Sequence, residues 1–126
     1  MALNPLMNRI SREEGFCWIN RVLISDPIGY LDFIKLMADA KVVISDSGGI
    51  QEETTILGVP CLMVRPNTER PVTISHGTNK LVGNNKEAII LEAHAAMNHI
   101  DITKKTPPLW DGKASQRILS VLCEEL

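Results

Sequence analysis

Two short stretches carry most of the chemistry this sequence can offer. The first runs Val43-Ile44-Ser45-Asp46-Ser47-Gly48-Gly49-Ile50-Gln51-Glu52-Glu53. A β-branched run ends, a glycine turn follows, and a helix begins. The first backbone N–H groups of a helix have no intrahelical partner. They also lie at the positive end of the helix dipole. Glycine lets a ligand approach the backbone with no Cβ in the way, and the Ser47 hydroxyl adds a donor. Ser47, Gly48 and Gly49 therefore predict a cradle for an anion such as a diphosphate. The same residues also suit an ordinary tight turn with a serine cap. The stretch is neither Gly-x-Gly-x-x-Gly nor a P-loop, so the pattern leaves both readings open. Glu52 and Glu53 stand about 100° apart on a helix and cannot face the same way. One faces solvent or caps the helix. The other can reach back over the cradle and accept hydrogen bonds from vicinal hydroxyls, as acidic residues do with ribose.

The second stretch is Thr68-Glu69-Arg70-Pro71. The planar donor fork of Arg70 fits phosphate oxygens. The alternative is a surface arginine paired with Glu69. Tyr30 and Phe33 open an earlier helix, and one of them can flank a base; equally, both can be core. Three histidines are available for proton transfer. His94 and His99 are expected in solvent, and His76, near Arg70, is the one worth testing. Asp46 is expected to tie down the turn through backbone N–H groups.

These groups need elements to position them. Arg21 to Ser25 reads as a strand, closed by Asp26-Pro27-Ile28-Gly29. Tyr30 to Ala40 reads as a helix, with Leu31, Ile34 and Met37 or Ala38 at helical spacing. Lys41 to Ser45 is a continuous β-branched run, the pattern of a strand buried on both faces. A helix over roughly 50–57 follows, ended by Gly58 and Pro60. Cys61 to Val64 reads as a short buried strand, Arg70-Pro71 as the start of one helical turn, and Lys80 to Val82 as a weak strand. Asn84 or Asn85 can cap a helix that reaches about Met97 and whose apolar face holds Ile89, Ala93 and Met97. After a connection over 99–110, Ala114, Ile118, Val121 and Leu122 predict a last amphipathic helix. Alternating strands and helices at short spacing predict an α/β layer with a mostly parallel sheet and right-handed crossovers. In such sheets ligands bind beyond the carboxyl ends of the strands, where both stretches fall.

Composition agrees with this class. The chain has 126 residues, 44% hydrophobic and 22% charged, which predicts one globular domain. A net charge of −2 gives no strong attraction to nucleic acid or anionic lipid. No apolar run approaches the ~18 residues that span a bilayer, and residues 1–11 show no apolar core of a signal peptide. Cys17, Cys61 and Cys123 are odd in number and widely spaced, with no Cys-x-x-Cys pair. Neither a disulfide framework nor a metal site is expected, and a reducing cytoplasm is the simplest location.

Taken together, the motifs resemble the carboxyl-terminal part of UDP-N-acetylglucosamine 2-epimerases. The matching stretches are Pro27 to Tyr30 with Phe33 and Leu36-Met37, then Ser45 to Glu53, Gly58-Val59-Pro60 and Thr68 to Pro71. Gly77-Thr78, Leu81-Val82-Gly83, Asp111 to Ser115 and Arg117-Ile118 complete them. The resemblance runs from about Leu3 to the end. It implies a Rossmann-like three-layer lobe, one half of a glycosyltransferase-B-like fold in which UDP lies between two lobes. Residues 1–126 would be the carboxyl-terminal UDP-binding lobe. By motif position, Ser47, Gly48 and Gly49 would contact the diphosphate, Glu53 the ribose hydroxyls, Arg70 the phosphates, and Phe33 would sit near the uracil.

The family reaction inverts C2 of the sugar by eliminating UDP and adding it back. The resemblance places the acid–base residues for that step in an amino-terminal lobe outside this chain. No residue here is then catalytic and no cofactor is implied. The expected ligand is UDP or a UDP-N-acetylhexosamine, and the expected protein partner is a second copy or a separate amino-terminal lobe. A stand-alone UDP-sugar-binding module and the donor lobe of a glycosyltransferase are the competing readings. Two departures stand out. Val72 follows Thr-Glu-Arg-Pro where the family usually has glutamate, and Ala2 precedes Asn4-Pro5 where a histidine is expected.

Overall fold

The computed structural model describes residues 16–19, 22–98 and 106–125, with the side chains of 16–19 and 125 left aside. Ala2, Asn4-Pro5 and His99 lie outside the described residues. The chain divides into two compact units, Met1–Ala40 and Lys41–Leu126.

In the first unit, β1 (Phe16–Ile19) and β2 (Val22–Ser25) form an antiparallel pair with Phe16 opposite Ser25 and Ile19 opposite Val22. The run Phe16-Cys17-Trp18-Ile19 has the aromatic and β-branched character of a strand, though the sequence reading does not anticipate one there. These two strands form a sheet of their own, so β2 does not join the parallel sheet. Helix α1 (Tyr30–Ala38) begins after Gly29, whose carbonyl accepts the Phe33 N–H at 3.0 Å. An exposed Lys35–Asp39 ion pair of 3.0 Å closes its last turn. Met37 is buried, but Leu31, expected on the same stripe, is 81% exposed.

The second unit holds β3 (Val43–Ser45), α2 (Gly48–Leu57), β4 (Cys61–Met63), α3 (Pro71–Ser75), β5 (Asn79–Leu81), α4 (Lys86–Asn98) and α5 (Ala114–Glu125). The strands lie in the order β3-β4-β5 and all run parallel, with Val43 opposite Cys61 and Cys61 opposite Asn79. Burial corrects one expectation. The central strand β4 is buried at every residue, whereas Ile44 on β3 is 48% exposed. β3 lies at the edge of this sheet, and its apolar run does not bury both faces.

Helix α2 packs through polar residues. Gln51, Thr54 and Thr55 are fully buried, while Ile56 is exposed. Burying polar groups costs free energy unless they are hydrogen-bonded, and here they are. Asn79 of β5 donates through Nδ2 to the Gln51 carbonyl at 2.8 Å and accepts from the Thr54 hydroxyl at 3.1 Å. The Thr55 hydroxyl donates to the same Gln51 carbonyl at 2.8 Å. The helix ends where Gly58 turns left-handed, at φ 74°, a conformation that favours glycine. Gly77 answers to a different need. A Cβ there would strike the Thr73 carbonyl and stand 2.7 Å from Thr55 Oγ1.

Pro71 occupies the first position of α3, as expected. Asn85 caps α4 by accepting the Ala88 N–H at 2.9 Å. The apolar face read for α4 is at best half-buried, and Met97 is exposed. Helix α5 is also largely exposed, Ile118, Val121 and Leu122 included. A clasp precedes it. Arg117 donates to Asp111 at 2.8 Å and to the Leu109 carbonyl at 2.9 Å.

Candidate functional site

The turn from β3 into α2 is built by Ser45. Its hydroxyl accepts the Ser47 N–H at 3.1 Å, so the tie expected of the Asp46 carboxylate is made by the serine before it. Asp46 supplies its carbonyl instead, 3.4 Å from Arg65 Nη1. Ser47 has the extended backbone of a cap residue, φ −82° and ψ 126°, but its side chain makes no capping hydrogen bond. The helix begins two residues earlier than the sequence suggested, so Gly48 and Gly49 form its first turn. The Gln51 N–H closes that turn on the Ser47 carbonyl at 3.3 Å. The N–H groups of Gly48, Gly49 and Ile50 are thus the donors that a helix start leaves over.

The second stretch comes to the same helix. Arg70 Nε lies 2.7 Å from Glu52 Oε1, with both side chains less than half exposed, at 44% and 41%. The pairing with Glu69 that the sequence allowed is not the one formed. Glu69 pairs with Arg65 at 3.2 Å. Its Oε1 lies 3.2 Å from where a Cβ on Gly48 would stand, so the missing side chain of Gly48 leaves room for this carboxylate. Its own backbone N–H, and then Arg65, hold the Glu69 carboxyl below the usual range.

The backbone of Arg70 is fixed on both sides. Its N–H donates to Thr68 Oγ1 at 2.9 Å, and its carbonyl accepts from the Thr73 hydroxyl at 2.7 Å. The Thr68 hydroxyl in turn donates to Gln51 Oε1 at 2.7 Å. Gln51 is fully buried, and its Nε2 is left without a partner among the described residues. Sequence reasoning places Gln51, Glu52 and Thr68 within motifs but gives Gln51 and Thr68 no role. Residue type gives no signal for them, since glutamine and threonine are ordinarily exposed; here Gln51 is buried and Thr68 half-buried.

Ser47, Gly48 and Gly49 thus form the start of α2, and Arg70 meets the same helix one turn further on, at Glu52. Glu53 follows Glu52 on that helix and is half-buried. Phe33 is half-buried on α1 and belongs to the other unit. His76 is exposed at the end of α3, with Nδ1 2.9 Å from the Ser75 hydroxyl, and His94 is exposed on α4. Among the described residues no three His, Cys, Asp or Glu side chains stand together as metal ligands. Cys61 is buried, which pushes its thiol pKa up. No helix among the described residues is long and apolar enough to cross a membrane.

Comparison with known proteins gives a consistent result. The family model of UDP-N-acetylglucosamine 2-epimerase matches residues 1–123. The UDP-N-acetylglucosamine 2-epimerase of Methanocaldococcus jannaschii is 43% identical over 102 residues, which is 81% of this chain and 27% of that protein. The enzyme of the same name from Escherichia coli K12 is 39% identical over 125 residues, 95% of this chain and 33% of that protein. Among solved structures, the M. jannaschii epimerase in complex with UDP-GlcNAc and UDP superposes with a TM-score of 0.72 at 37% identity. That match covers 94% of this chain and 30% of the other. A protein from Listeria monocytogenes described as a putative UDP-N-acetylglucosamine 2-epimerase gives 0.73 at 35% identity, over 99% of this chain and 34% of the other. The chain spans about a third or less of the length of the curated relatives it matches. Its α/β architecture with a parallel sheet is a Rossmann-like lobe of their glycosyltransferase-B-like fold. The chain belongs to the UDP-N-acetylglucosamine 2-epimerase family.

Proposed function

We propose that this chain is the UDP-binding lobe of a UDP-N-acetylglucosamine 2-epimerase, and that its ligand is UDP or a UDP-N-acetylhexosamine. The observation that carries the reading is the 2.7 Å pair of Arg70 with Glu52, which brings the arginine to the helix that Gly48-Gly49 begins. A diphosphate over the start of α2 would meet the spare N–H groups, the Ser47 hydroxyl and the Arg70 guanidinium. Glu53 would accept the ribose hydroxyls. Motif position alone gives Phe33 to the uracil. The relative solved with UDP-GlcNAc and UDP supports the ligand class.

The chemistry assigns a limited part to this lobe. Eliminating UDP from the sugar needs a base and an acid at C2, and it needs the departing diphosphate stabilised. The residues here serve the second demand. A helix start contributes about 0.3 to 2 kcal/mol toward an anion, and each charge-assisted hydrogen bond about 1.5 to 3 kcal/mol. Such terms favour weak binding of UDP and its departure as a leaving group. They do not replace a positioned acid–base pair, each member of which contributes about 10² to 10⁴ in rate. No residue of this chain is assigned to proton transfer, and no cofactor or metal is required. The chain therefore binds UDP without turning over UDP-GlcNAc, until a second protein lobe completes the site.

Calorimetric titration with UDP tests the reading. The chain is expected to bind, and Arg70→Ala to weaken binding about tenfold or more. Absence of binding by the unaltered chain would overturn it. Epimerisation of UDP-GlcNAc by this chain with no added partner would overturn the division of labour. The run Asp46-Ser47-Gly48-Gly49-Ile50-Gln51-Glu52-Glu53 followed by Thr68-Glu69-Arg70-Pro71 favours an epimerase lobe over the donor lobe of a glycosyltransferase.

A further inference from the structure

We infer that Thr68 is the positioning residue that sets Arg70 against the cradle helix, through a relay that starts at the buried amide of Gln51. The inference rests on the proposed role of Arg70 and goes one step behind it. Arg70 is exposed enough that its long side chain would sample many rotamers if its backbone were loose. The structure holds the guanidinium on Glu52 and the backbone that carries it on Thr68 and Thr73. The Thr68 hydroxyl stands between two groups, accepting the Arg70 N–H at 2.9 Å and donating to Gln51 Oε1 at 2.7 Å. Gln51 is fully buried in α2, one residue past the cradle turn Ser47 to Ile50. The hydroxyl thus fixes the step from a buried residue of the cradle helix to the arginine backbone.

The residues around this step reinforce it. Thr73, fully buried, takes the Arg70 carbonyl at 2.7 Å. Glu52, the neighbour of Gln51 on α2, takes Arg70 Nε at 2.7 Å. Two consecutive residues of α2 therefore address the same arginine, one at its backbone through Thr68 and one at its guanidinium. A single hydroxyl that both donates and accepts is needed at position 68. Valine matches threonine in shape and can do neither, whereas serine can do both.

The test uses the full chain with Thr68→Val, Thr68→Ser, Arg70→Ala and the Thr68→Val/Arg70→Ala pair. UDP and uridine are titrated into each, and amide hydrogen exchange is followed at Arg70. The relay predicts that Thr68→Val weakens UDP by about tenfold while uridine, which lacks the diphosphate, is unaffected. It predicts that Thr68→Ser stays within about twofold of the unaltered chain. In the Arg70→Ala background, Thr68→Val should add little, because the arginine it positions is gone. Exchange at the Arg70 amide should accelerate at least tenfold in Thr68→Val and not in Thr68→Ser. Equal UDP binding by Thr68→Val and the unaltered chain, losses that multiply in the double variant, or a uridine loss as large as the UDP loss would each overturn the relay. If the unaltered chain binds no UDP, the proposed function fails, and the exchange measurement decides the relay by itself. Should Thr68→Val not fold, Thr68→Ala read by the same exchange and titration takes its place.

Discussion

Replacing Asn79 with aspartate exchanges one atom's chemistry in the most buried polar cluster of the second unit. Asn79 is 6% exposed. Its Nδ2 donates to the Gln51 carbonyl at 2.8 Å and to Thr55 Oγ1 at 3.3 Å, and its Oδ1 accepts from Thr54 at 3.1 Å. Asn79→Ala removes these contacts. The Gln51 carbonyl still accepts from Thr55 at 2.8 Å, so it is not orphaned. At about 1 kcal/mol for each net hydrogen bond, the loss is about 2 to 3 kcal/mol. Asn79→Asp keeps the size and shape but turns the donor into an acceptor facing a carbonyl. Burial disfavours its charged form, so its folded pKa rises above the unfolded value of about 3.9. Between those two values the folded state binds more protons, so stability falls as pH rises. Every tenfold weakening of the acid on folding costs about 1.4 kcal/mol at neutral pH. When protonated, the acid hydroxyl can donate to the Gln51 carbonyl in place of Nδ2. Urea unfolding at pH 7 and pH 5, taken as differences from the unaltered chain, is the assay. With a slope of about 1 to 1.5 kcal/mol per molar for a chain of this size, Asn79→Ala should lower the midpoint by about 2 M. Asn79→Asp should be worse than alanine at pH 7 and recover toward it at pH 5. A variant aspartate as stable as asparagine at pH 7, or a deficit that does not change with pH, would refute the account of α2 as a helix packed on a hydrogen-bonded polar face.

Two further outcomes follow from single positions. Gly77→Ala drives a Cβ into the Thr73 carbonyl and to 2.7 Å from Thr55 Oγ1, so denaturation should show a loss of about 1 to 3 kcal/mol or more, whereas Gly29→Ala, with open space around it, should not show this clash. Asp111→Asn should loosen the start of α5, read as faster amide exchange near Arg117. Arg117, first, and then the Lys113 N–H hold the Asp111 carboxyl well below its usual range. A lowered folded value means that the clasp contributes above the unfolded value of about 3.9 and is lost as pH falls below it. The difference between the variant and the unaltered chain should therefore be full at neutral pH and vanish in acid.

Local chemistry was legible in the sequence. Gly58 and Pro60 ended α2, Pro71 opened α3 and Asn85 capped α4, because each such residue acts on its own backbone within a turn. The motif Ser45 to Glu53 located the turn and helix start for the same reason, and its resemblance named the family. What required partners distant in sequence was not legible. A β-branched run at Val43 to Ser45 looks the same at a sheet edge as at its centre, and only strand order shows that β4 takes the buried place. The apolar stripe of α5 predicts a helix without saying what covers it. The polar face of α2 could not be read as buried, because Gln51, Thr54 and Thr55 are exposed residue types until Asn79, more than twenty positions later, supplies their hydrogen bonds. The choice of Glu52 for Arg70 belongs to the same class. Glu52, Glu53 and Glu69 are equivalent carboxylates in sequence, and the distance across a folded loop selects among them. Sequence determined which groups this chain can offer an anion; tertiary structure decided which carboxylate and which hydroxyl hold the arginine in place, since short-range propensity acts within a turn and pairing depends on where the turns meet.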